Sequence, residues 1–457
     1  MNQLQSNYDI GVIGGGIAGS MAAVAAARRG CRVIVLEEKG YPGGALTAMG
    51  TGPMMTFHAG DTQVIRGIPQ EMISRLMERG FSPGHTADST GYTYSVTPFS
   101  AEGMKCVLEE MMLEAGVTLL YHTVVHGAEV SEGILRRIRC FSCGQNFEIG
   151  AGVFIDATGD GDLLELAGVP TVCGRPGDGK NQPMTMNFKI DGVNTEKIRE
   201  VMAEHPEYFP FLNKKRGTEK KALRLSVSGF QDLMRQGIAS GEVTVDRDVV
   251  LTFETNDPGE MIVNMSRING EDPVNPLSLS RAETEGRRQA WELFRFLRAR
   301  VPGYENARLL FTGPDAGIRS SRRMVGVYTL TAEDLLSERI FEDRIAACGY
   351  PIDIHSADGA GTSHRFLREG GWYTIPFRCL INSEVPNLMA AGRNISCTFE
   401  AQASTRVSPC CAAIGEAAGC AASLAVREGV PPAGISVPAL QRLLREEGAF
   451  LGDAQPE

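Results

Sequence analysis

Four groups of residues in this chain have types and spacings that suit chemistry. The first is Gly14-Gly15-Gly16-Ile17-Ala18-Gly19, which meets the spacing G-x-G-x-x-G between a β-branched run and an Ala-rich run. Gly14 permits a tight turn, Gly16 lets the backbone approach a pyrophosphate, and Gly19 lets a helix pack on a strand. The helix start at Ile17 and Ala18 offers unpaired N–H groups and a partial positive charge to phosphates. Glu37 follows Gly19 by 18 residues and ends a second apolar run, where an acid binds ribose hydroxyls. Glu rather than Arg at that position argues against a 2′-phosphate.

The second group is Asp353 and His355, two apart in a strand-like run and therefore on one side of it. Asp can orient its neighbour and His titrates near neutral pH, so His355 is a candidate proton donor or acceptor. A structural histidine at a domain junction is the competing reading. The third is the cluster Arg319, Arg322 and Arg323 in an acidic chain. Guanidinium forks suit a carboxylate or a developing enolate, and an ion-paired interdomain contact is the alternative. His364, Arg365, Tyr373 and Arg378 are weaker candidates nearby. The fourth is cysteine. Cys140-x-x-Cys143 falls in an expected hairpin with no second pair, so it reads as structural. Cys410 and Cys411 open a helix, where a thiolate would be stabilised, but buried packing is the better reading of them. No zinc or iron–sulfur ligand set is visible, and no metal is expected.

These residues need elements to hold them. Tyr8–Ile13 reads as a buried strand, residues 18–29 as a helix and Cys31–Leu36 as a second strand, together one βαβ unit. A helix is expected over 101–115, a strand over 117–121, antiparallel hairpins over 127–149 and a strand over 153–157. Pro170–Pro183, rich in Gly and Pro, reads as a crossing linker. A long charged helix is expected over 281–300, a strand near 387–391 and a small-residue helix over 409–425. The fold class is α/β, a Rossmann-type domain with a parallel sheet and an antiparallel hairpin layer, carrying an inserted α+β cap. Its expected pieces are 1–50, 95–175 and 376–430 for the cofactor domain. The substrate or cap domain takes 51–94 and 176–375, and 431–457 form a C-terminal helix and frayed tail.

Composition narrows the function. The 457 residues suit two or three units at roughly 100–200 residues each. A formal charge of −10 disfavours a nucleic-acid partner, and the run at Lys214, Lys215 and Arg216 reads as a solvated loop. Eleven cysteines in irregular spacing fit a reducing, cytoplasmic setting, and no signal peptide or membrane span is expected. The uncharged stretch Ile10–Ala27 is better explained as strand, turn and helix than as a bilayer helix.

Three further segments carry a resemblance. Glu37-Glu38-Lys39-Gly40-Tyr41-Pro42-Gly43-Gly44-Ala45-Leu46-Thr47 resembles the strand-end acid and Gly-Gly signature of the glutathione-reductase-type FAD fold. Val153 to Asp162, with Ala157-Thr158-Gly159, resembles its second motif, and Asn387 to Ser396, with Gly392-Arg393, resembles its third. The chain is thus similar over most of its length to the FAD-dependent oxidoreductases, distantly to fumarate reductase flavoproteins and ketosteroid dehydrogenases. The resemblance implies non-covalent FAD, contacted at Glu37, Glu38, Gly43, Gly44, Ala45, Leu46, Val125, Ala157, Thr158, Gly159, Asp162, Gly392 and Arg393. It also implies that Ser404, Arg406 and Val407 lead into a helix start facing the flavin pyrimidine carbonyls, where a helix N-terminus stabilises negative charge. His58 lies where some relatives attach flavin covalently, but its surroundings do not match that pattern. Many relatives carry Glu where this chain has Ser320, so a role resting on that acid does not transfer.

The expected function is a flavin dehydrogenase or reductase acting on a small organic substrate, with His355, Asp353, Arg322 and Arg323 as the catalytic candidates. A C–C bond next to a carbonyl is the expected point of attack. No second dinucleotide motif is present, because Gly359 to His364 lacks the last glycine, so a separate electron donor or acceptor is expected. A flavin monooxygenase and a non-catalytic electron-transfer subunit stay open as alternatives, as does the oligomeric state, a homodimer among the options.

Overall fold

The structure is a computed structural model that describes residues 6–212, 221–359 and 361–453. Lys214, Lys215 and Arg216 and the last four residues of the tail lie outside the described residues.

The first element is β1 (Asn7–Ile13), followed by α1 (Ile17–Ala27) and β2 (Val33–Leu36). β2 and the second half of β1 are buried on both faces, as a parallel strand covered on two sides must be. β2 begins two residues later than its β-branched run suggests, because Gly30 turns the chain at φ 84°. β1 pairs in parallel with β2, and β2 with β3 (Thr118–Leu120). β4 (Val124–Ser131), β5 (Ile134–Ser142) and β6 (Gln145–Asp156) form an antiparallel meander. The sequence reads β6 as two strands broken near its glycines, but it is one strand of 12 residues. Its first half pairs with β5. Its second half runs parallel to β1 on one edge and to the strand Leu388–Ala390 on the other. One strand therefore joins the hairpin layer to the nucleotide-binding layer.

Two apolar helices cover this sheet centrally: α1 and the helix Ser408–Glu428. Their backbones approach closely. A Cβ on Gly415 would lie 2.1 Å from the Ala18 carbonyl oxygen, and one on Gly419 2.1 Å from that of Ala22. Small residues thus set the helix spacing, and larger ones would push the helices apart. Ser408–Glu428 is long and apolar enough to cross a membrane, but 89% of its most apolar window is buried inside the protein. The helix Ile68–Glu78 packs on the same cluster through Ile68, Met72, Ile73 and Leu76.

A second core lies in the inserted region. Five antiparallel strands run in the order Ser226–Gly229, Val250–Glu254, Met261–Val263, Phe188–Asp191 and Arg308–Thr312. The helix Pro276–Arg300 contributes Leu293, Phe294, Phe296 and Leu297 to that core, against Phe188 and Ile190. Asn275 caps the helix by accepting from the N–H groups of Leu277 and Ser278. A hairpin, Ile352–His355 with Thr362–Arg365, sits between the two cores and places Asp353 opposite His364.

Candidate functional site

At the carboxyl ends of β1, β2 and β6 the chain opens a cleft of about 550 Å³, where open α/β sheets bind ligands. Gly14, Gly16, Ile17, Ala18, Glu37, Glu38, Gly44, Ala45, Val125, Ala157, Thr158, Gly159, Asp162, Gly392, Arg393 and Arg406 line it. The remaining residues expected to contact the cofactor lie one layer away. Gly19 packs under the turn, where a Cβ would meet the Gly14 oxygen at 1.9 Å. Gly43 holds the left-handed turn before Gly44 at φ 109°, and Leu46 is in the core. Ser404 donates its one hydroxyl proton to the Tyr350 carbonyl and so accepts from the Tyr373 hydroxyl, both at 2.7 Å. Val407 precedes the helix Ser408–Glu428.

The cleft suits a dinucleotide. Gly16 caps α1 without any side-chain hydrogen bond, and no acidic residue occupies the first turn, so the helix N–H groups stay available to phosphate. A Cβ on Gly16 would meet nothing nearer than Gly44 Cα at 3.8 Å, so the space beside it belongs to the cleft. Glu37 is buried and its two oxygens accept from Gly15 N at 2.7 Å and Lys39 N at 2.8 Å, which fixes it at the strand end. Burial pushes its carboxyl above the usual range, against those two backbone bonds. Asp156, buried below the second motif, accepts from Thr158 N, Thr158 Oγ1, Leu164 N and Asn394 Nδ2 and so builds the Ala157–Gly159 turn. Arg393 pairs with Asp160 at 2.5 Å across the cleft floor, and its Nε is buried without a partner. The helix Ser408–Glu428 starts at the cleft with Ser408 and Cys411 and has no side-chain cap.

The arginines of the third sequence group part company. Arg322 stays at the cleft edge, 3.0 Å from Asp162 and 3.7 Å from Glu165. Arg323 does not line the cleft. It is buried over Phe399 and donates to the carbonyls of Cys397, Ser321 and Gly174 and to Gln402. Arg319 is buried, donates to the Pro183 carbonyl and faces the hairpin. Ser320 accepts from Gln182 N at 2.8 Å and so fastens the linker.

The hairpin gathers the other candidates. Asp353 is buried, 3.4 Å from His355 Nε2 and 3.4 Å from His364 Nδ1, and it accepts from the Tyr350 hydroxyl at 3.3 Å. Tyr92 approaches His364 Nδ1 at 3.0 Å. Despite burial, the His355 side chain, through its hydrogen bond, and the charge of Arg406 hold the Asp353 carboxyl below the usual range. Burial, with Arg319 beside it, pushes the His355 imidazole down to about 3 against the pull of Asp353. At neutral pH the pair is therefore a neutral imidazole beside a carboxylate. Among the described residues, no group of three or more His, Cys, Asp or Glu could hold a metal ion.

Other sequence candidates lie elsewhere. Arg365 is exposed, and Arg378 pairs with Asp343 at the surface. His58 bonds Ser95 at 2.9 Å and does not line the cleft. Cys140 is buried and Cys143 exposed. Cys410 and Cys411 are buried, and burial pushes both thiols up, Cys411 to about 12, so neither is a resting thiolate.

The sequence reading missed Arg247, which is 7% exposed and pushed down to about 10 by burial and by Arg267. It sits between Asp246 and Asp248 and reads as a solvated charge run. The available signal was alternation: Val243, Val245 and Arg247 are buried while residues 244, 246 and 248 are exposed.

A Rossmann-type sheet, an uncapped helix at its glycine turn and three converging motifs define a dinucleotide-binding flavoprotein. The chain belongs to the FAD dependent oxidoreductase family, whose profile matches residues 9–444. It is an oxidoreductase of that family, and FAD is the cofactor. A 59-residue stretch is 46% identical to a soluble pyridine nucleotide transhydrogenase of Hahella chejuensis, covering 13% of each chain. Among solved structures it is similar to a geranylgeranyl bacteriochlorophyll reductase-like protein from Thermoplasma acidophilum. That match has a TM-score of 0.49 and 13% identity over 98% of this chain and 84% of the other. It is also similar to L-proline dehydrogenase from P. horikoshii, with a TM-score of 0.47 and 14% identity over 98% and 100%.

Proposed function

We propose that the chain is a FAD-dependent dehydrogenase or reductase of a small organic substrate, acting at a C–C bond next to a carbonyl. When bound, FAD supplies a two-electron acceptor or donor. The observation that carries this reading is Arg406. It lines the dinucleotide cleft, and its charge also acts on Asp353, Tyr350 and Tyr92. The hairpin cluster therefore adjoins the cofactor cleft. In this reading Asp353 orients His355, and His355 carries the proton that accompanies electron transfer. Burial is the main cause that disfavours the imidazolium; a substrate anion near Arg319 would offset the second, the Arg319 charge, and so raise the proton affinity of His355.

Two wider expectations belong to the same proposal. Electrons pass to or from a separate small carrier or protein. The protein works in the cytoplasm, a setting supported by eleven unpaired cysteines. The test is His355→Ala. Flavin content should match wild type while re-oxidation of the reduced protein by its organic substrate slows about a hundredfold. Undiminished turnover with normal flavin would remove His355 from the reaction.

A further inference from the structure

The hairpin cluster is surrounded by more positive charge than it can balance. Arg247, Arg267 and Arg319 are all buried, and Arg406 reaches in from the cleft side. Among the described residues Asp353 is the buried carboxylate beside them, while Asp246 and Asp248, on the exposed face of their segment, offset Arg247 and Arg267 in part from the solvent side. Within the described residues the guanidinium of Arg247 has no hydrogen bond or ion pair, and its Nε is buried without a partner. The Nε of Arg406 is buried without a partner as well. The amide nitrogen of Gln182, whose oxygen accepts from His355 N, is a third orphan at the same place. Burying an unpaired guanidinium is costly, so a fold retains one where a ligand completes it. Arg247 and Arg319 both act on His355, so their charges converge on the hairpin.

We propose that this cluster binds a small organic anion, its carboxylate or carboxylates held by Arg247, Arg319 and Arg406 beside the Asp353–His355 pair. Planar guanidiniums match the two oxygens of a carboxylate. The inference deepens the oxidoreductase reading and rests on it, naming the substrate as an organic acid. It also reassigns the arginine role. Arg322 and Arg323 spend their donors on Asp162 and on backbone carbonyls, whereas Arg247 has donors to give.

The test uses the flavin-loaded protein and four carboxylates: malonate, succinate, citrate and benzoate. Malonamide, succinamide and inorganic phosphate are the controls. Binding is read by calorimetry and by thermal shift, and flavin content is measured in every sample. At least one carboxylate should bind and raise Tm, while the amides do nothing. Arg247→Met should keep its flavin, weaken that carboxylate by about tenfold to a hundredfold and raise the Tm of the ligand-free protein. A purely structural arginine would lower that Tm. Should Arg247→Met not fold, the proposal fails, because its guanidinium would then be needed by the fold. Arg406→Gln, checked for flavin content, should show the same loss of carboxylate affinity. No response to any carboxylate, a response to phosphate alone, or unchanged affinity in Arg247→Met overturns the proposal. Loss of flavin from the wild-type protein would instead indict the cofactor cleft.

Discussion

The three motif glycines should separate cleanly under substitution by alanine. Gly16 has φ −62° and ψ 179°, a conformation any residue adopts, and its added methyl would meet only Gly44 Cα at 3.8 Å. Gly16→Ala should therefore fold as well as wild type, or gain up to about 1 kcal/mol through the unfolded chain. Its methyl would stand in the cleft where a phosphate must approach the α1 N–H groups. Losing one or two charge-assisted bonds there, at roughly 1.5–3 kcal/mol each, weakens FAD by about tenfold to a thousandfold or more. Gly19→Ala makes the opposite trade. Its methyl would lie 1.9 Å from the Gly14 oxygen and 3.1 Å from Ala157 Cβ, so the helix must move off the strand. That overpacking costs about 1–3 kcal/mol or more before any cofactor is present. Apo-protein Tm and FAD affinity by fluorescence quenching read the two effects separately. Unweakened FAD binding by a well-folded Gly16→Ala protein would refute the placement of the pyrophosphate.

Glu416 is buried against Gly67 and Ile68, and burial pushes its carboxyl up to about 8. The folded value lies above the unfolded one, so its contribution is fully present below about pH 4.5 and is lost as pH rises through 8. The loss is on the order of 5 kcal/mol. Urea unfolding from pH 5 to 9 should show that decline in wild type and a flatter profile in Glu416→Gln, and parallel profiles would contradict it. Arg323→Met strands the carbonyls of Cys397 and Gly174. It should cost about 2–4 kcal/mol in denaturant melts while leaving KM unchanged, and a raised KM with normal stability would return Arg323 to the site. Iodoacetamide at pH 8 should label exposed Cys106, Cys143 and Cys173 and spare Cys410 and Cys411 in the native protein. Rapid labelling of either of the last two, read by peptide mass spectrometry, would contradict their burial.

The nucleotide half of the fold was legible because local rules dictate it. The glycine turn, the two β-branched strands and Glu37 form one short unit whose geometry depends little on the rest of the chain. Asp353 and His355 were legible for the same reason, since two residues apart on a strand share a side. What joins them to the rest was not. Gly150 and Gly152 made β6 look broken, although pairing with β1 and β5 carries it through. Arg319, Arg322 and Arg323 fall within five residues of sequence, yet three directions of side chain send them toward the hairpin, the cleft rim and the core. Arg247 and Arg319, 72 residues apart, act on each other only through the tertiary fold, which no local pattern encodes.

The most direct measurement is anaerobic. The flavin-loaded protein is photoreduced and mixed with unsaturated carboxylic acids, and the oxidised protein is mixed with saturated ones, while the visible flavin band is followed. The matching amides, quinones and oxygen serve as comparisons. The band should recover or bleach with at least one acid and not with its amide, and the rate should fall in His355→Ala. A flavin that answers only to oxygen or quinones, and to no organic acid in either direction, would contradict the account.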